Sequence, residues 1–243
     1  MVVIVNKEIC RYAIEPVVNE KVEISVRVEL SEIGYTFLPS FALGEFGIDL
    51  YTRLGKLTTI PGIEPVQHLR PKENTTAGPN TYSGNFGLRE FPLHTDLAHW
   101  YVPPRYLVLR CVVGSENVKT RICDSRELYD RFPYELLHGT LVRPRRPLAG
   151  ERSALRLLTR TNGDLRFRWD STFIAAADSV SARTIEGIHA FLCHEATCQN
   201  IGLTNPGDTL ILDNWRMLHG RTSVGPTDAY RHLERVYLSE ICA

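Results

Sequence analysis

Short runs rich in apolar and β-branched residues recur along the chain, and most of its 14 prolines and 17 glycines fall between them. Candidate strands lie at residues 22–30, 105–113, 154–160, 164–175, 209–214 and 230–238, since such side chains suit a pleated, half-buried surface. In the first run Val22, Ile24, Val26, Val28 and Leu30 alternate with polar residues, the period-two pattern of a strand with one buried face. Helical segments are fewer: residues 40–54, residues 125–137, where Asp124 and Glu127 suggest a capping box, and residues 181–193. Many short strands with few helices point to a sandwich, jelly roll or barrel.

At 243 residues the chain is long enough for one large core and short for two, so residues 1–243 read as a single domain. Twenty-eight basic residues balance 28 acidic ones, leaving no net field that would favour nucleic acid or an anionic membrane over a small-molecule partner. No apolar run approaches the roughly 20 residues needed to cross a bilayer, and the apolar opening Val2 to Val5 stops at Asn6 and Lys7. Six cysteines (Cys10, Cys111, Cys123, Cys193, Cys198 and Cys242) lack paired spacing, which fits reduced thiols in the cytoplasm better than a disulfide framework.

The chemistry concentrates in two places. In Phe91-Pro92-Leu93-His94-Thr95-Asp96 the alternation of a strand turns His94 and Asp96 to one face, aiming a neutral nitrogen and a carboxylate at one point. Far along the chain, Leu218-His219-Gly220-Arg221 supplies a second imidazole between an apolar run and a glycine. Two histidines and a carboxylate leave three positions of an octahedral metal open, the arrangement of Fe(II) oxygenases rather than of closed structural zinc sites. A His-x-Asp pair alone is weak evidence, since either residue can be an ordinary buried polar group.

His94-Thr95-Asp96, the distal Leu218-His219-Gly220-Arg221 and Arg231 in a final strand together resemble the taurine dioxygenase and γ-butyrobetaine hydroxylase superfamily of Fe(II)/2-oxoglutarate enzymes. The resemblance spans roughly Tyr82 to the C-terminus. It implies a mainly β fold, a double-stranded β-helix with a jelly-roll, cupin-like core and a few peripheral helices. It also implies a dioxygenase that uses Fe(II), 2-oxoglutarate and O2 to oxidise, most commonly to hydroxylate, a C–H bond of a small molecule, releasing succinate and CO2. Carried over residue by residue, His94, Asp96 and His219 match the iron ligands and Arg231, 12 positions after His219, the arginine that pairs with the distal carboxylate of 2-oxoglutarate. Thr120, 26 positions after His94, matches a threonine touching the same carboxylate. Arg235 lies nearer the residue that grips an anionic substrate group, and is placed for that group or for the proximal carboxylate. The carboxylate ligand Asp96 argues for hydroxylation over halogenation. The substrate does not transfer; an amino acid, a small carboxylate or a natural-product intermediate would suit.

Bottom-up chemistry agrees with these roles. Arg231, Leu233, Arg235 and Tyr237 share one face of the last strand, and arginines facing a barrel interior are costly without anions to pair with. On an exposed face they would be ordinary surface charges. The Pro-, Asn-, Thr- and Gly-rich residues 70–92 read either as a surface loop or as a cover over the site. His99 and Trp100 either line the pocket or pack below it. Arg166, Arg168 and Asp170 either reach a polar substrate or form a solvated strand face. His194-Glu195-Ala196-Thr197-Cys198 imitates the zinc-protease pattern but ends in cysteine. Two rivals remain: a cupin-like sensor that binds iron and 2-oxoglutarate without turnover, separable by succinate release, and a zinc hydrolase indifferent to O2.

Overall fold

The computed structural model describes residues 20–146, 153–161 and 163–242, so the opening apolar run and Cys10 lie outside the described residues. In chain order come α1 (Glu20–Glu32), β1 (Tyr35–Leu38), α2 (Asp49–Thr52), β2 (Gly55–Leu57), β3 (Gln67–Leu69), α3 (Tyr82–Phe86), β4 (Phe91–His94) and β5 (Tyr106–Val113). Then follow β6 (Lys119–Asp124), α4 (Tyr134–Gly139), β7 (Leu141–Pro144), β8 (Leu155–Arg156), β9 (Leu158–Thr161) and β10 (Asp164–Phe167). The last elements are β11 (Ile174–Ala176), α5 (Ser179–His194), β12 (Gln199–Gly202), β13 (Thr209–Asp213), β14 (Met217–Arg221) and β15 (His232–Ile241).

Two antiparallel sheets form the core. The larger runs β1-β13-β5-β15-β2, with β3 also paired to β15, and the smaller runs β12-β6-β14-β4. Alternation along the strands sorts their side chains. Leu107, Leu109 and Cys111 of β5, Leu210 and Leu212 of β13, and Leu233 and Tyr237 of β15 turn inward to meet Ile122 of β6 and Met217 of β14. The residues between them, Val108, Ile211, Val236 and Leu238, turn outward and pack under Val26 and Leu30 of α1 and Leu50 and Tyr51 of α2. Behind the smaller sheet, Cys123 and Leu218 are covered by Leu137 of α4 and by Ile188 and Leu192 of α5. Strands apolar on both faces are what a sheet covered on both sides requires. The mainly β, jelly-roll reading is borne out, with the helices outside the sheets.

The segment 22–30 is a helix, not a strand. Its buried residues among those described are Val26 and Leu30, while Val28 is 45% exposed. Positions i and i+4 share a face in a strand and in a helix alike, so the alternation of valines was ambiguous, and strand propensity yields to tertiary packing. Two other helical expectations were too long. Residues 40–54 contain only α2, and residues 125–137 split into a short 3-10 turn and the start of α4. Asp124 caps that turn by accepting from the Arg126 amide at 3.0 Å, but Glu127 reaches across to the Thr197 amide instead of closing a capping box. Strand 164–175 likewise breaks into β10 and β11.

The helical placement is testable by equilibrium denaturation. Leu30→Ala is expected to cost about 2–5 kcal/mol, as for other buried leucines, and Val28→Ala close to nothing. Equal losses at both positions would restore the strand reading.

Candidate active site

His94, Asp96 and His219 meet where β4 and β14 pair. His219 stands opposite His94 in the register, and a bulge separates that pair from Arg221 and Phe91. Gly220 permits the approach: a Cβ there would lie 2.6 Å from the Phe91 carbonyl oxygen. Asp96 sits just past the end of β4 and is followed by Leu97 at φ +56°, a left-handed turn that a branched residue adopts only when its surroundings enforce it. Buried Asn214 supplies that enforcement. Its side chain accepts from the Asp96 amide at 2.7 Å and donates to the Asp96 carbonyl at 3.0 Å and the Pro104 carbonyl at 2.9 Å.

The donor atoms of the three side chains lie within 4.8 Å of one another, and this is the one such group of His, Cys, Asp or Glu found among the described residues. Asp96 Oδ1 stands 3.4 Å from His94 Nε2 and 3.6 Å from His219 Nε2. His94 Nδ1 donates to the Pro92 carbonyl at 2.9 Å, which leaves the Nε2 lone pair free for a metal. The second oxygen of Asp96 is held separately, by the Tyr237 hydroxyl at 2.8 Å and Arg235 Nη1 at 3.1 Å. Burial works against charge on Asp96, yet the Arg235 guanidinium, helped by both imidazoles, keeps its carboxyl well below the usual range. Burial lowers His219, and His94 adds to that effect. A buried carboxylate flanked by two imidazoles is a donor set that fits a divalent cation.

Behind the cluster opens a cavity of about 630 Å³ whose lining includes Leu109, Thr120, Gly220, Arg231, Leu233 and Tyr237. Arg231 is 5% exposed, and its Nε and Nη2 have no hydrogen-bond partner among the described residues. Burial alone pushes its pKa down to about 10. A buried guanidinium without an anion fits a carboxylate ligand that would complete it. Arg235 is differently placed from the expectation of an open anion grip, because its Nη2 already bonds Gln67 Oε1 at 2.6 Å and its Nη1 bonds Asp96.

Residues 70–92 wall the cavity with Arg70, Lys72, Thr81 and Tyr82 among others, and His99 and Trp100 line it too. The segment carries α3, whose Tyr82 ring stacks on His94 at a centroid distance of 4.0 Å. Arg166, Arg168 and Asp170 are all buried, so a solvated face is excluded, and they diverge in role. Arg168 is spent on the carbonyls of Ala98, Trp100, Tyr101 and Arg156. Asp170 reaches the cavity. His194 and Glu195 sit at the end of α5, with Glu195 paired to Arg131.

The sequence profile of the taurine catabolism dioxygenase TauD, TfdA family matches residues 45–237. The chain belongs to this dioxygenase family. The TauD/TfdA membership places it among Fe(II)- and 2-oxoglutarate-dependent oxygenases, with His94, Asp96 and His219 as its possible iron site. No curated protein matches it by sequence. Among solved structures, an asparagine oxygenase in complex with Fe(II), 2S,3S-3-hydroxyasparagine and succinate superposes with a TM-score of 0.67 at 19% identity, covering 90% of this chain and 79% of that one. The non-haem iron oxygenase OrfP in complex with Fe and α-ketoglutaric acid gives a TM-score of 0.64 at 20% identity, covering 91% and 80%. The PvcB protein from Pseudomonas aeruginosa gives 0.62 at 20% identity, covering 89% and 79%. At these identities the likeness speaks for the shared fold.

Tyr237, Asn214 and Tyr82 are site residues that the sequence patterns did not single out. Tyr237 alone carried a signal, since it shares a strand face with Arg231 and Arg235. Removing its hydroxyl isolates the support given to Asp96. Loss of such an outer partner typically costs 10–100-fold in metal affinity, so Tyr237→Phe is expected to weaken Fe(II) binding at least about tenfold in an anaerobic metal titration. Unchanged affinity would mean that the hydroxyl does not orient the carboxylate.

Proposed function

We propose that this TauD/TfdA-family protein hydroxylates a C–H bond of a small molecule, and that the whole chain works as a single domain for that purpose. The observation that carries the reading is one cavity holding both a three-donor cluster and a buried arginine with no anion. His94, Asp96 and His219 hold Fe(II), and Arg231 takes the distal carboxylate of 2-oxoglutarate with the Thr120 hydroxyl beside it. When bound, the metal and 2-oxoglutarate supply the oxidising power, consuming O2 and releasing succinate and CO2.

The protein's own part is placement and shielding. Arg231 offers a planar fork that a carboxylate meets with two hydrogen bonds and that stays charged when buried. Arg235 and Tyr237 keep the second oxygen of Asp96 occupied, so its first oxygen remains turned to the histidines. Arg235 is thus a positioning residue for the carboxylate ligand. Tyr82 and the segment around it cover His94 and reduce the access of water to the reacting centre. The cavity volume falls in the range of small-molecule sites. The asparagine oxygenase complex with hydroxyasparagine supports an amino-acid-like substrate. Cys111, Cys123, Cys193, Cys198 and Cys242 are free thiols, which supports a cytoplasmic location.

Succinate formation tests the reading. It is expected only when Fe(II), 2-oxoglutarate and O2 are all present, and His94→Ala, Asp96→Ala and His219→Ala should each abolish it. Arg231→Lys keeps the charge and loses the fork. Breaking a buried charge-assisted pair costs on the order of 3 kcal/mol, about a hundredfold in affinity, so this variant should need about a hundredfold more 2-oxoglutarate while still binding iron. Normal turnover in the alanine variants would remove the ligand assignment, and an unchanged 2-oxoglutarate requirement in Arg231→Lys would remove the anchor.

A further inference from the structure

Asp170 is an acidic group the proposed chemistry does not use. It is 2% exposed, it lines the cavity, and no lysine or arginine pairs with it among the described residues. An isolated antiparallel bridge joins it to His94, which fixes it at the metal end of the cavity. Its Oδ1 accepts from the amides of Thr172 and Phe173 at 2.8 and 3.0 Å. That turn explains one oxygen of the carboxylate and none of its charge, because an asparagine would make the same two bonds.

The surroundings are selective. Phe173, presented by the same turn, meets Tyr82 edge-on at 5.2 Å between ring centroids and lies 6.2 Å from the His99 ring. His99 Nδ1 is buried without a hydrogen-bond partner among the described residues, the Tyr82 hydroxyl faces the Asp170 carboxyl, and both line the same cavity. A desolvated carboxylate is unfavourable without a counter-charge, and aromatic faces around it favour a cation further.

We propose that Asp170, walled by Tyr82, Phe173 and His99, is the anchor for a protonated amine on the primary substrate. This rests on the oxygenase reading and narrows its substrate class. The C–H bonds brought to the His94–Asp96–His219 cluster are then those close to the cationic nitrogen. Arg221, Arg70 and Lys72 also line the cavity, so an amine that also carries a carboxylate finds both charges matched, as in an amino acid, while Arg231 stays with 2-oxoglutarate.

Calorimetry decides it, on protein loaded anaerobically with Fe(II) and 2-oxoglutarate and on protein as purified. The probes are the common L-amino acids, short alkylamines, and for each the analogue with hydroxyl in place of the amine. At least one amine should bind, its hydroxyl analogue at least tenfold more weakly, and Asp170→Asn should erase that preference. Because the turn is preserved, Asp170→Asn should keep a thermal midpoint close to that of the unmodified protein, which separates loss of charge from loss of fold. Binding of amino acids but not alkylamines would assign the ligand to the former class, and binding of both to amines in general. The proposal is overturned if no amine binds more tightly than its hydroxyl analogue, or if the preference survives in Asp170→Asn. The wild-type comparison stands even if the variant is unstable. Failure of the oxygenase reading would show separately, as absence of 2-oxoglutarate binding during loading.

Discussion

The burial of Asp96 is the constraint around which the site is built. A carboxylate 3% exposed is unfavourable by several kcal/mol unless its charge and lone pairs are met. Each neighbour answers part of that demand: Arg235 and Tyr237 on one oxygen, two imidazoles facing the other, and Asn214 on the backbone. These partners come from β4, β14, β15 and the turn after β13. The metal site therefore exists only when both sheets have assembled, and its geometry is as rigid as the sandwich that carries it.

Cavity polarity follows from the same arrangement. β15 turns Leu233, Arg235 and Tyr237 into the space between the sheets, and Arg231, expected within the final strand, sits one residue before it and lines the same cavity. The arginine nearer Asp96 is neutralised within the protein, and Arg231 is left without an anion among the described residues. One cation is structural and the other is free for a ligand, although the two sit four residues apart on one face. At the His94 end, Asp170 presents the opposite sign. The cavity separates charge along its length, which orients a dipolar guest.

Much of this was legible in the residues themselves. Strands β5, β13 and β15 follow from their apolar runs, and His94, Asp96, His219 and Arg231 from motif and spacing. The inward face of β15 follows from alternation. Helix α1 was misread because Val26 and Leu30 satisfy both periods. Asn214 and Tyr82 had no local signature: one acts through backbone bonds across 118 positions, the other by stacking on His94 from the loop that precedes it. Asp170 was visible only as one of three alternating polar residues. Which of the three faces the cavity is decided by where β10 ends at Phe167, a tertiary matter that periodicity does not carry.

The central claim is that the three-donor cluster and Arg231 form one site for Fe(II) and 2-oxoglutarate. It is tested most directly by titrating 2-oxoglutarate anaerobically into the Fe(II)-loaded protein while following visible absorption. The account predicts a metal-to-ligand charge-transfer band that saturates at one 2-oxoglutarate per chain. Iron binding with no such band at any 2-oxoglutarate concentration would contradict it.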